Sequence, residues 1–109
     1  MMMMTLDDLL AQHTQHGKPY LEFLRLNALS MGMYRLPAGS IDSQHPHAED
    51  EVYYVTAGRA QIRVGSADYP VAPGSIVYVP AQVSHGFHSI TEDLTLLVFF
   101  APAESAGFT

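Results

Sequence analysis

His45, His47 and Glu51 lie within seven residues of one another inside GSIDSQHPHAEDEVYYVTAG, Gly39 to Gly58. Imidazole nitrogen and carboxylate oxygen are ligands for a divalent ion. Histidines two residues apart leave the same face of an extended chain, whereas on a helix they would point apart. Pro46 between them also disfavours a helix and suits a strand end. Glu51 opens Val52-Tyr53-Tyr54-Val55, a β-branched and aromatic run that reads as a strand. A turn at Ala48-Glu49-Asp50 would fold the carboxylate back towards the two rings.

A second stretch, GSIVYVPAQVSHGFH, carries Pro80 and His85. A short apolar strand, Ile76 to Val79, ends at Pro80 and delivers His85 after a brief loop. With these residues the chain resembles the cupins. The first cupin motif, G-x5-H-x-H-x3-E-x6-G, is matched by Gly39, His45, His47, Glu51 and Gly58. The second, G-x5-P-x-G-x2-H-x3-N, is matched by Gly74, Pro80 and His85, and departs at Gln82 and Ser89. Gln82 stands where the family usually has Gly, so the turn before His85 is the point of tension, because Gln tolerates positive φ less well. The resemblance implies a small all-β jelly-roll barrel, a metal held by His45, His47, Glu51 and His85, and a homodimer.

Three imidazoles and one carboxylate suit Zn, Ni, Fe, Mn or Co, and no thiolate biases the choice to copper(I). On a six-coordinate ion, four protein ligands leave two positions for water or substrate. An open position separates a working metal from a structural one. Such an ion could polarise a substrate, acidify a bound water or hold a chelating molecule. Iron could also bring dioxygen to it. The expected activity is therefore dioxygenase-like, isomerising or decarboxylating action on a small oxygen-bearing molecule. The alternative is a metal-dependent binding or sensing module without turnover, and whether the chain is an enzyme stays open.

The remaining residues must position this set. Strand parity from Glu51 places Tyr53 and Val55 on the inner face, with Tyr53 a candidate pocket residue. Parity from His85 puts Phe87 and Ser89 inside and His88 outside, so His88 is left out of the ligand set. Arg35 could anchor an anion, but a surface salt bridge is the plainer reading. Glu49 and Asp50 read as solvated. Thr5-Leu-Asp-Asp-Leu-Leu starts a short helix, with Thr5 as cap, Asp8 completing a capping box and Leu6, Leu9 and Leu10 as its apolar stripe. His13 and His16 read as exposed helix-end histidines rather than a metal pair. Strands are expected over Tyr20 to Asn27, Leu29 to Leu36, the HxH segment, Glu51 to Val55, Gln61 to Val64, Ile76 to Val79, the His85 segment and Leu94 to Phe100. A hairpin turn is expected at Thr56-Ala57-Gly58-Arg59 and a type II turn at Ala72-Pro73-Gly74-Ser75. Many short strands separated by Gly and Pro argue for an all-β sandwich or barrel.

The 109 residues allow one domain. We divide them into a helical segment over 1–19, a barrel over 20–102 and a loose tail over 103–109. The formal charge of −6, with five Lys and Arg, leaves no basic stripe for nucleic acid. Cysteine is absent, which excludes disulfides and thiolate metal sites. The chain has neither a long apolar run nor a leader pattern, so a cytoplasmic protein with no membrane partner is expected. Nothing is built on the run Met1 to Met4. No P-loop, dinucleotide fingerprint or HExxH motif occurs.

Overall fold

The computed structural model describes residues 3–42 and 46–105. Helix α1, Leu6–His16, begins at Thr5, whose hydroxyl accepts from the Asp8 amide while the Asp8 carboxylate accepts from the Thr5 amide. It ends at Gly17, which takes a left-handed φ of 77°. The buried side chains of α1 are Leu9 and His13, whereas Leu6 is 41% exposed. His13 is therefore not the exposed residue expected: its Nε2 lies 2.7 Å from the Pro19 carbonyl and fastens the helix end to the next strand.

Among the described residues six strands follow: β1 Tyr20–Arg25, β2 Ser30–Leu36, β3 Asp50–Val64, β4 Ala67–Val71, β5 Ile76–Val79 and β6 His85–Ala101. All pairings are antiparallel, in the order β1-β2-β6-β3-β4, with β5 added to β3. The architecture is the expected all-β jelly-roll barrel with a short N-terminal helix. Fewer, longer strands build it than the sequence suggested, because β3 and β6 run through 15 and 17 residues.

The expected hairpin at Thr56 to Arg59 is instead a bulged bend inside β3. Register with β6 shifts between Val55 and Ala57, between Ala57 and Arg59, and between Arg59 and Gln61. Bulges of this kind bend a strand without ending it. The first half of β3 pairs with β5 and with the second half of β6, as in Glu51 with Val79 and Phe100. The second half pairs with β4 and with the start of β6, as in Ile62 with Tyr69 and Phe87. Two long kinked strands thus cross between two layers. Tyr53, Val55, Leu96, Val98 and Phe100 from one layer pack with Ile62, Val71 and Phe87 from the other.

Pro46 and His47 lie in no strand, which corrects the expected HxH strand within the described residues. The described part of the tail, 103–105, is hydrogen-bonded to the rest of the chain. The Ala103 amide donates to the Asn27 carbonyl, and the Glu104 amide donates to Ser30 Oγ at 3.0 Å.

Candidate metal centre

Glu51 enters the site because β3 alternates. Glu51, Tyr53 and Val55 are buried, while Tyr54 between them faces out. His85 opens β6 opposite Val64, in the other layer. His47 comes from the segment before β3, and its carbonyl accepts from the Gln82 amide at 2.7 Å. That bond ties the His47 segment to the turn that delivers His85. Gln82 holds a φ of 68°, so the chain does adopt the left-handed turn that the motif assigns to Gly.

Each of His47, Glu51 and His85 is buried, and their ligand atoms lie within 4.8 Å of one another. His45, the fourth residue expected to ligate, lies outside the described residues. His85 Nε2 is 3.0 Å from Glu51 Oε1, with both side chains 1% exposed. The His47 and His85 ring centroids are 5.5 Å apart, and Phe100 closes the far side of His47 at 5.0 Å. Tyr53 stacks edge-on against Phe87 and has its ring centroid 6.1 Å from that of His85.

The protonation of His85 follows from its neighbours. Nδ1 lies 2.9 Å from the Val83 carbonyl, which can only accept, so Nδ1 carries hydrogen. In the neutral ring Nε2 then presents a lone pair to a carboxylate. Two acceptors facing each other at 3.0 Å make no hydrogen bond, and Nε2 and both Glu51 oxygens are buried without a hydrogen-bond partner among the described residues. Unpartnered buried polar atoms are costly, and an unpaired buried charge more so. A cation relieves all three atoms together. Ligand atoms about 2.1 Å from one ion lie roughly 3.0 Å apart at a right angle and ~3.4 Å apart at the tetrahedral angle. The observed spacing is short enough for both atoms to hold one ion.

Burial pushes the His47 pKa below the ordinary histidine value, against an opposing pull from Glu51. A neutral imidazole, ready to ligate, is the consequence. Burial also lowers His85, but the Glu51 carboxylate and the Val83 carbonyl together outweigh it, and its pKa stands above 6.5. Below that raised value, and without metal, a proton on His85 compensates Glu51.

The other candidates resolve clearly. His88 lies outside the barrel, its Nε2 2.7 Å from Asp68 Oδ1. Hydrogen bonds from Arg63 and His88 hold the Asp68 carboxyl down at about 2. Ser89 is exposed rather than inward, because its φ of 51° breaks the alternation and sends Ile90 into the core instead. Arg35 sits between the buried Tyr34 and Leu36 and faces outward, donating to Thr95 Oγ1. It lines a groove of about 350 Å³ beside His13, Lys18 and Asp93, not the barrel interior, and makes no ion pair among the described residues.

Glu49 corrects the reading as solvated: it is 4% exposed, and its Oε2 accepts from the Ser105 hydroxyl at 2.6 Å. Asp50 is exposed as expected and accepts from Tyr78 and from the Ala81 amide. Sequence reasoning passed over Asp42, whose carboxylate accepts from the Tyr34 hydroxyl and from the Phe87 amide. Nothing in its local pattern announces this, because the Phe87 partner is 45 residues away and the Tyr34 partner lies on β2.

The profile of the cupin domain matches residues 32–100, which hold Glu51, His47, His85 and the whole of β3. The chain belongs to the cupin family. An uncharacterized protein of Streptomyces coelicolor is 55% identical over 100 residues, covering 92% of this cupin and 95% of the relative. Among solved structures, TT1209 from Thermus thermophilus is 28% identical, with a TM-score of 0.79 over 94% of this chain and 99% of its own. The lyase DddQ from Ruegeria pomeroyi, described as a DMSP lyase, is 25% identical with a TM-score of 0.65. That match covers 70% of this cupin but only 39% of the lyase. Among the described residues, no helix is long and apolar enough to cross a membrane.

Proposed function

We propose that this cupin binds one divalent transition-metal ion, Zn, Ni, Fe, Mn or Co, through His45, His47, Glu51 and His85, and holds a small oxygen-bearing organic molecule beside it. One observation carries the reading: the unpartnered, buried Glu51 carboxylate and His85 Nε2, 3.0 Å apart. Four protein ligands on a six-coordinate ion leave positions for a ligand. Tyr53, Val55 and Phe87, each no more than 2% exposed, are the proposed apolar surroundings. An apolar wall with few polar groups suits a small chelating molecule better than a sugar.

When bound, the ion supplies Lewis-acid or redox chemistry, according to its identity. The chain's own contribution is to hold His85 by its Val83 bond, keep His47 neutral and exclude water with Phe100, Phe87 and Tyr53. The Tyr53 hydroxyl is a candidate donor to a bound oxygen. The similarity to a lyase supports the enzyme class without choosing the reaction, since cupin folds host many activities. The test is anaerobic loading with iron(II), addition of diketones, catechols or 2-oxo acids, and measurement of oxygen uptake. Uptake with one of them is the dioxygenase-like result. Tight calorimetric binding without uptake identifies the binding module instead. A chain that retains no metal under any loading overturns both.

We also infer a homodimer through β1 and β2. The support is local: β1 is an edge strand, and Leu21, Phe23 and Leu24 on it are only partly buried. Unpaired apolar edges invite pairing. Light scattering at micromolar concentration should give twice the mass of 12.0 kDa, and a monomeric mass overturns the assignment.

A further inference from the structure

A second group of potential ligands lies against the first. The ligand atoms of His47, Glu49 and Glu104 are within 4.8 Å of one another, and all three residues are buried. Glu49 is 4% exposed and Glu104 8%. Both are held from behind. Glu49 Oε2 accepts from the Ser105 hydroxyl and amide, at 2.6 and 3.3 Å. Glu104 is fixed by its backbone, with its amide on Ser30 Oγ and its carbonyl accepting from Arg25 Nη2 at 2.7 Å. Glu49 Oε1 is buried and has no hydrogen-bond partner among the described residues. Since Oε2 is taken by Ser105, Oε1 is the oxygen left for a ligand.

Leaving a carboxylate oxygen buried and unpartnered is costly, and a cation beside Glu49 Oε1 would relieve it.

We propose that Glu49 and Glu104, with His47 on the shared wall, form a second divalent-cation site beside the first. Its two anionic oxygens favour a hard ion over a thiophilic one, and the neighbouring imidazole favours manganese(II) over calcium. Glu104 and Ser105 lie at the end of the described chain and Glu49 immediately before β3. The ion therefore fastens the C-terminal segment to the strand that carries Glu51.

The probe is manganese(II) alone, titrated into the metal-free full chain by calorimetry, with circular dichroism as the folding control. Two equivalents should bind. Glu104→Gln and Glu49→Gln, close isosteres, should each weaken one equivalent at least roughly tenfold and leave the other in place. His85→Ala should do the reverse, removing the equivalent that the glutamine variants keep. Failure of the proposed function therefore shows in His85→Ala and failure of the second site in Glu104→Gln. A single equivalent in the parent chain, unchanged in Glu104→Gln, overturns the proposal. Should Glu49→Gln not fold, Glu104→Gln decides alone.

Discussion

Glu51→Gln should weaken divalent-ion binding by roughly 100-fold or more, equivalent to ~2.7 kcal/mol. The substitution keeps the shape of the side chain and removes the charge that faces His85 Nε2 at 3.0 Å. Two roles for Glu51 predict opposite effects on the metal-free fold. As half of a buried ion pair with protonated His85, its loss should destabilise by about 3–5 kcal/mol. As a ligand awaiting an ion, it is a charge buried at a cost, and Gln should leave the metal-free chain as stable or more so. We expect the second outcome above the raised His85 value, where its ring is neutral. The measurement is thermal unfolding with and without zinc. The parent should gain several degrees with the ion, and Glu51→Gln should gain clearly less. An equal zinc-dependent gain in both sinks the ligand assignment.

The same pair sets the pH dependence. The folded pKa of His85 is raised above 6.5, so its proton contributes stability that is fully present below 6.5 and lost as pH rises through the folded value. Metal binding has the opposite sign, since the ring must release that proton to ligate. Affinity should therefore fall as pH drops below the raised value, by up to about tenfold per unit for each proton displaced. His47 adds less over this range, because burial already keeps its ring neutral. An affinity that stays level from about pH 7 to pH 5 contradicts histidine ligation.

Much of this was legible from residue types and spacing. Thr5 and Asp8 gave α1 its start, since a capping box is a local device. Alternation from Glu51 placed Tyr53 and Val55 inside, and alternation from His85 placed Phe87 inside and His88 out. Parity failed at Ser89, where a single left-handed residue resets the faces. Glu49 failed for another reason. Among three consecutive acids it looks solvated, and only its contact with Ser105, 56 residues away, reveals its burial. Small polar residues such as Ala103 to Ser105 likewise read as loose until Ser30 and Asn27 are found beneath them. In each case the missing information is a long-range partner, which no local pattern encodes.

Gly58 is the sharpest instance, because the motif marks it while the local sequence reads it as a hairpin turn. Its φ is 93°, and an added Cβ would collide with the Asp93 carbonyl and lie 2.7 Å from Leu94 Cα. Here β3 bends against β6, so the obstruction is the β6 backbone at Asp93 and Leu94. Gly74 is the natural control: its φ is 94°, but nothing lies within 4 Å of an added Cβ. Gly74→Ala meets only the dihedral penalty, about 1–2 kcal/mol. Gly58→Ala meets that penalty plus a clash that only backbone movement can relieve, for a total of ~3 kcal/mol or more. For a chain of this size that lowers the Tm by roughly 12 °C or more. Loss of the bend also moves Glu51, which lies seven residues before Gly58 on the same strand, relative to His85 in the other layer. Metal affinity should therefore fall in Gly58→Ala even where the chain remains folded, and should be unchanged in Gly74→Ala. Denaturant unfolding of the two variants side by side, followed by zinc titration, separates the cases. Equal destabilisation by the two substitutions would show that the bend at Gly58 tolerates a side chain and that the motif glycine serves only its dihedral angle.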